Sequence, residues 1–308
     1  MKNISFFLFI LFSLFFLFSC KKPDITPVYL ILTEEDFKDC IDVSNFNSVH
    51  DENYDPNVLD VIKQHTFPFV RVSILGNMIG FYQPPCTIPM LPDYSKQNNI
   101  MLEPCVRLPN TVLSTEPYYF VNYVEKFFNF EKEDTIRFPS FKLEYRRTVK
   151  YELLETFANS TRFEARSPEI YPTTIELVFD EEKNKNLGTI VLKDTAKFFD
   201  IVTDYFLMNG KNERQYFEIT YKSNDGEMFV SLNFKGAPTG TTNRDLVILP
   251  SSNGVWKQLY VNISEIMMQE SYTASTLNTR LQITGNKTSD DKNADFYFDN
   301  IRIITMAN

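Results

Sequence analysis

The chain carries only two histidines, one tryptophan and nine glycines. With His50 and His65 as its whole supply of imidazole, a histidine-built metal centre or hydrolytic triad is a poor reading. The GxSxG elbow, the HExxH metal helix, the Gly-rich phosphate loop and the CxxC pair are all missing. Each would place a nucleophile, a metal, a phosphate or a redox couple through a specific local geometry. Basic stripes are missing too. Lys and Arg number 31 against 40 Asp and Glu, a net charge of −9, which argues against nucleic acid and against adhesion to anionic lipid. Carboxylates are plentiful, but Glu131 with Glu133, and Asp180 with Glu181 and Glu182, sit in polar runs that read as exposed turns. A glycosidase needs two carboxyls on facing sides of a cleft. His50, Asp51 and Glu52 read as a solvated loop before they read as a divalent-ion site. The chain is therefore read as a non-enzyme that requires no cofactor.

What is abundant is aromatic and apolar. There are 29 Phe and 16 Tyr, which with little glycine suits strands that pack large side chains. The opening MKNISFFLFILFSLFFLFSCKKPD concentrates the apolar residues behind Lys2. As a helix, Ile4 to Phe18 would reach roughly 22 Å, short of the ~30 Å hydrocarbon core, so a removable signal segment is favoured over a span. Leu17, Phe18 and Ser19 before Cys20 resemble a bacterial lipobox. That resemblance implies cleavage before Cys20 and acylation of its thiol and new amine, and two or more acyl chains anchor stably. KKPDITP then reads as an extended tether over residues 20–27. Lys21 follows the cysteine, so the usual inner-membrane retention aspartate is absent, and Asp24 alone is no acidic surface-export cluster. The expected address is the outer membrane, lipid-anchored, with the face undecided.

Three further cysteines remain, Cys40, Cys86 and Cys105. One disulfide at most is possible, with Cys86–Cys105 the preferred pair, worth about 3 kcal/mol if unstrained. Three reduced thiols are an equal alternative.

Periodicity divides the mature chain near residue 149. Over 28–148, VYLIL, FVRVSILGNMIGFYQ, NIMLEPCVRL, EPYYFVNYVEKFFNF and DTIRFPSFKLEYR read as strands, the second as a hairpin about Gly76–Asn77. DPNVLDVIKQH offers Asp55 and Pro56 as cap and first helical residue, or else a loop. Prolines between the strands argue against long helices. An immunoglobulin-like β-sandwich follows. Over 149–308, YELLETF, IELVFD, TIVL, FFDIVTDYFLM, QYFEITYKS, MFVSLNF, DLVILP, KQLYVNIS, TRLQIT and ADFYFDNIRII suggest a two-sheet jelly roll, all-β like the first part. In the last, Phe296 and Phe298 share a face while Ile301 and Ile303 have the opposite parity. A bulge at Asp299–Asn300 would bring them together; a strand that stops and restarts is the alternative.

FEITYKSNDGEMFVSLNF, VWKQLYVNISEI and FYFDNIRII resemble the galactose-binding-like jelly rolls that include many carbohydrate-binding modules. VRVSILGNMIGFYQPPCTIPML and IMLEPCVRLPN resemble the first domain of two-domain Bacteroidota lipoproteins of uncharacterised function, ordered lipobox, immunoglobulin-like domain, jelly roll. The likeness covers most of residues 20–308, with fewer glycines in the first domain's turns and a longer polar insertion at 33–66. It implies a structural calcium held by Glu155 and Asp299; against it, Asp299 would merely bond the bulge backbone.

Strand parity supplies a glycan candidate. Tyr260 opposes Leu259, Val261 and Ile263, and Trp256 shares its parity. Tyr297 opposes Phe296 and Phe298, and Phe229 opposes Met228, Val230 and Leu232. Such an aromatic strip would stack on pyranose C–H faces. Trp256 reads more readily as core, because the matching Trp of the resembling family packs at the sandwich edge. Two functions therefore compete. One is a scaffold or accessory subunit docked on an outer-membrane protein partner, which a single Trp narrowly favours. The other is a surface lipoprotein whose jelly roll binds a polysaccharide.

Overall fold

The structure, a computed structural model, describes residues 26–37, 40–47, 56–108, 115–132, 134–193, 195–209, 214–237, 240–270, 276–289 and 293–306. The signal segment, Cys20, His50, Asp51, Glu52, Asp55 and Glu133 lie outside them. Among the described residues no helix is long and apolar enough to cross a membrane.

Strands dominate. In the first part β1 (Val28–Leu32) pairs antiparallel with β5 (Cys86–Met90) and parallel with β9 (Thr135–Arg137). A second sheet runs β4 (Asn77–Tyr82), β3 (Phe69–Ile74), β6 (Asn98–Arg107) and β7 (Thr115–Pro117), with β8 (Val124–Phe128) also on β6. Period-two alternation decides their faces: Val28 and Leu30 meet Val70, Val72, Ile100 and Leu102 in one cluster, sandwich-fashion. β2 (Ile41–Asp42) and β10 (Leu143–Glu144) form a small parallel pair, and Pro56–Ile62 is a helix, α1. The hairpin turn lies one residue earlier than the Gly-Asn signal suggests. Leu75 and Gly76 take the corner at φ 50° and 78°, while Asn77 pairs with Ile74. Leu75 accepts the left-handed conformation because its side chain packs on the core and its amide bonds Asn99 O at 3.0 Å. EPYYFVNYVEKFFNF is not one strand either; Tyr118 and Phe120, between β7 and β8, are buried.

The second part is a two-sheet jelly roll. One sheet, hereafter the β22 sheet, has the order β13 (Glu176–Asp180), β14 (Lys185–Leu192), β22 (Ala294–Met306), β17 (Arg214–Ser223), β20 (Lys257–Asn262), with β11 (Val149–Glu155) also on β22. The other, the β18 sheet, runs β12 (Phe163–Ala165), β15 (Phe198–Thr203), β21 (Thr276–Lys287), β18 (Gly226–Ala237), β19 (Gly240–Leu249), with β16 (Phe206–Asn209) on β21. FFDIVTDYFLM is thus two strands, β15 and β16, broken at Asp204–Tyr205. A short helix the periodicity did not signal, α2 (Ser264–Glu270), follows β20. Among the described residues every strand pairing stays on one side of residue 149.

β22 has the bulge that its parity slip required. Thr220 pairs with Asn300 and Tyr221 with Phe298, leaving Asp299 unpaired. Phe296, Phe298, Ile301 and Ile303 all enter the jelly-roll core. Beyond the bulge, Ile304 turns the other way and joins the first part's cluster with Tyr151, Tyr216 and Tyr260. That half of the β22 sheet's outer face is therefore a second buried surface.

A polar network sits inside this junction. Arg302 and Glu218 have side chains 1% exposed and pair at 3.4 Å. Arg302 donates to the carbonyls of Val61 and Ile62 at 3.4 Å and of Gln64 at 3.0 Å, closing the C-terminus of α1. Tyr118 donates to Glu218 at 2.6 Å, and Tyr151 to Tyr145 at 3.0 Å. His65 places Nε2 3.3 Å from Arg302 and Nδ1 3.3 Å from the Tyr260 hydroxyl. Burial, then the Arg302 charge, hold the His65 pKa well below its ordinary value, so the ring is neutral and Nε2 accepts.

No disulfide joins Cys86 to Cys105; both are free thiols, as is Cys40. The strands that follow the prolines go to different sheets, Cys86 pairing with Leu32 and Cys105 with Phe69 and Pro117. Burial pushes the Cys105 thiol up to about 12.

Candidate functional site

The four aromatic candidates do not form one strip. Tyr260 does face away from the jelly-roll core, as its parity requires, but the first part covers it. It is 3% exposed and its hydroxyl bonds Thr66 O at 3.2 Å. Trp256 and Tyr297 do come together, through Lys222, whose Nζ lies 5.0 Å from the indole centroid and 4.6 Å from the phenol centroid. Trp256 is half-buried and lines a cleft rather than packing in the core. Phe229 lies on the β18 sheet, away from the other three.

Both calcium candidates have protein partners. Glu155 accepts the amides of Phe157 at 2.8 Å and Arg162 at 2.6 Å and the Thr161 hydroxyl at 3.3 Å, pinning the loop after β11. Asp299 takes two ammonium groups, Lys183 on Oδ2 and Lys185 on Oδ1. Those lysines set positive charge against the bulged carboxylate. Among the described residues no three His, Cys, Asp or Glu side chains gather as a metal site.

The outer face of the β18 sheet holds a different constellation. Met228, Val230, Leu232 and Phe234 point into the core, as do Leu281, Ile283, Phe199 and Ile201 on the neighbouring strands. Alternation then sends Phe229, Ser231, Asn233, Arg280, Gln282, Thr284 and Asp200 outward. These outward polar groups are nevertheless recessed: Asn233 is 2% exposed, Gln282 4% and Asp200 8%. They form a chain across three strands. Asn233 Nδ2 donates to Gln282 Oε1 at 3.0 Å, and Gln282 Nε2 donates to Asp200 Oδ1 at 2.8 Å. Arg166 stands 3.7 Å from the other Asp200 oxygen. Each bond fixes an amide's orientation, so the face presents a set order of donors and acceptors. Phe229, 38% exposed, and Ile248, 53% exposed, pair directly at one end. At the other end the Arg280 guanidinium lies 4.9 Å from the Tyr205 ring, with its Nε buried and unpartnered among the described residues. Of this set only Phe229 stood out beforehand. Ser231 and Asn233 share its parity and were legible with it; Gln282 and Asp200 come from strands whose neighbourhood no local pattern states.

A second concavity of about 770 Å³ opens where the two parts meet. The segment Gln64–Pro68 and the short 3-10 turn Glu34–Asp36 line it from the first part. From the jelly roll come Trp256, Lys183, Thr220, Lys257, Gln258 and Asp299.

No family model and no curated protein matches the chain. Among solved structures the chain is similar to the xylanase 10B CBM22-1–GH10 modules of Clostridium thermocellum complexed with xylohexaose. That match has 15% identity and a TM-score of 0.37, over 50% of this chain and 28% of that one. It is similar to the xylan-binding domain of carbohydrate-binding module family 22 at 14% identity and a TM-score of 0.34, over 51% of this chain and 96% of that one. The family 11 carbohydrate-binding module of Clostridium thermocellum, complexed with a β-1,3-1,4-mixed-linked tetrasaccharide, is similar at 14% identity and a TM-score of 0.34, over 52% and 95%.

Proposed function

We propose that the protein is a non-catalytic, glycan-binding lipoprotein of the cell envelope. Cys20 carries the lipid, the immunoglobulin-like first part is a rigid spacer, and the outer face of the β18 sheet binds a polysaccharide. The observation that carries this reading is the recessed chain Asp200–Gln282–Asn233 with Phe229 at its end. A sugar presents vicinal hydroxyls, which both donate and accept, and an apolar C–H face. Oriented amides and a carboxylate match the first, and a half-exposed ring matches the second. Strands about 4.8 Å apart suit an extended chain laid across them. This face outweighs the narrow sequence preference for a scaffold, because a docking surface for a protein calls for apolar area and this one is lined by ordered polar groups.

Isothermal titration and affinity electrophoresis against a panel of soluble plant and host polysaccharides test it. The native protein is expected to bind at least one of them. Gln282→Ala and Asn233→Ala each weaken that binding at least tenfold, about 1.4 kcal/mol, while melting cooperatively. Failure to bind any member, or unaltered binding by both variants, counts against the reading.

A further inference from the structure

Trp256 and the lysines around it serve neither the β18 sheet nor the junction network. The Lys183 ammonium sits 3.7 Å from the indole centroid, and Lys222 joins Trp256 to Tyr297. Lys257 lines the same cleft. Lys183 and Lys185 share the single carboxylate of Asp299. Among the described residues Lys222 and Lys257 have no carboxylate partner. Lys183, Lys222 and Lys257 gather about one half-exposed indole in a chain of net charge −9, with Asp299 paired to Lys183. Glu34 and Glu35 stand on the opposite wall, so the anion-accepting side of the cleft is the jelly-roll side.

We propose that this cleft is a second binding site, on the sheet opposite the first, and that it takes an acidic saccharide bearing a carboxylate or a sulfate. A neutral sugar would stack on the indole and leave Lys222 and Lys257 unmatched. A small inorganic anion would meet the lysines and leave the ring unused. An acidic sugar supplies both a C–H face and a negative group on one rigid frame. Lys183 belongs to the turn between β13 and β14, and Lys185 still holds Asp299 if Lys183 lifts from the ring to meet the ligand. The cleft does not depend on the β18-sheet reading.

Trp256 is the chain's one tryptophan, so its emission reports this cleft and not the other face. Full-length protein in detergent is titrated with tetragalacturonate, a sulfated heparin tetrasaccharide, neutral xylotetraose and inorganic sulfate at fixed ionic strength. A saturable change in emission with at least one acidic oligosaccharide, and none with xylotetraose or sulfate, is expected. Its apparent Kd rises at least tenfold in the Lys222→Ala, Lys257→Ala double variant, weakens with added salt, and is unchanged by Gln282→Ala. The proposal is overturned by silence toward both acidic ligands, by an equal response to xylotetraose or to sulfate alone, or by a double variant that binds as the native protein does. Loss of response in Gln282→Ala would also overturn it, by merging the two sites.

Discussion

The two sheets of the jelly roll share a core and an alternating pattern, yet their outer faces have opposite fates. Beyond the Asp299 bulge, the β22 sheet turns Tyr216, Glu218, Tyr260, Arg302 and Ile304 onto the first part. The β18 sheet keeps Asn233, Gln282 and Asp200 toward the outside, bonded to one another in a recess. One face joins the two parts; the other carries the proposed glycan site. Polar groups on the first face hold structure against a desolvation cost under the first part, whereas those on the second bond one another across three strands. Polar groups are therefore expected to carry different energetic weight on the two faces.

The largest test of this contrast removes the cation from the covered face. Arg302→Met leaves Glu218 buried without its counter-ion, and is expected to cost about 3–5 kcal/mol in urea denaturation. Adding Glu218→Leu should restore most of it, since the uncompensated charge, not the lost pair, causes the damage. Acid comes next. The folded state holds the His65 pKa well below 6.5, while the unfolded chain titrates near that value. The unfolded state therefore binds more protons as pH falls, and stability declines below pH 6.5 until the folded pKa is reached. The slope from this one group is at most about 1.4 kcal/mol per pH unit, and His65→Gln should remove it from a denaturation series between pH 7 and 5. The smallest effect belongs to the open face. Gln282→Ala should shift stability by only about 1 kcal/mol while weakening glycan binding. If it proved as costly as Arg302→Met, the contrast between the faces would collapse.

Parity in the strands was informative about direction and silent about destination. It placed Tyr260 on the far side of β20 from Leu259 and Val261, and the structure agrees; it could not say that Thr66 and His65 would lie there. The same reasoning put Phe229 outward, where it stays 38% exposed. The slip between Phe298 and Ile301 was legible as a bulge because four apolar residues needed one core. The hairpin turn was misplaced by one residue because Gly and Asn are the usual left-handed residues, and here packing put Leu75 there. Cys86 and Cys105 looked like a pair by their similar settings, and separate sheets keep them apart.

Alternation of apolar residues and the prolines between runs were enough to call for an all-β chain and the kink in the last strand. These follow from local rules, since the side-chain period of a strand is set by its own backbone. The cleft beside Trp256, the cage around Arg302, and the alignment of Asp200, Gln282 and Asn233 were decided only when strands distant in the chain became neighbours. Such neighbourhoods depend on which edge pairs with which, and on one part closing over half a face of the other, and no local periodicity encodes either.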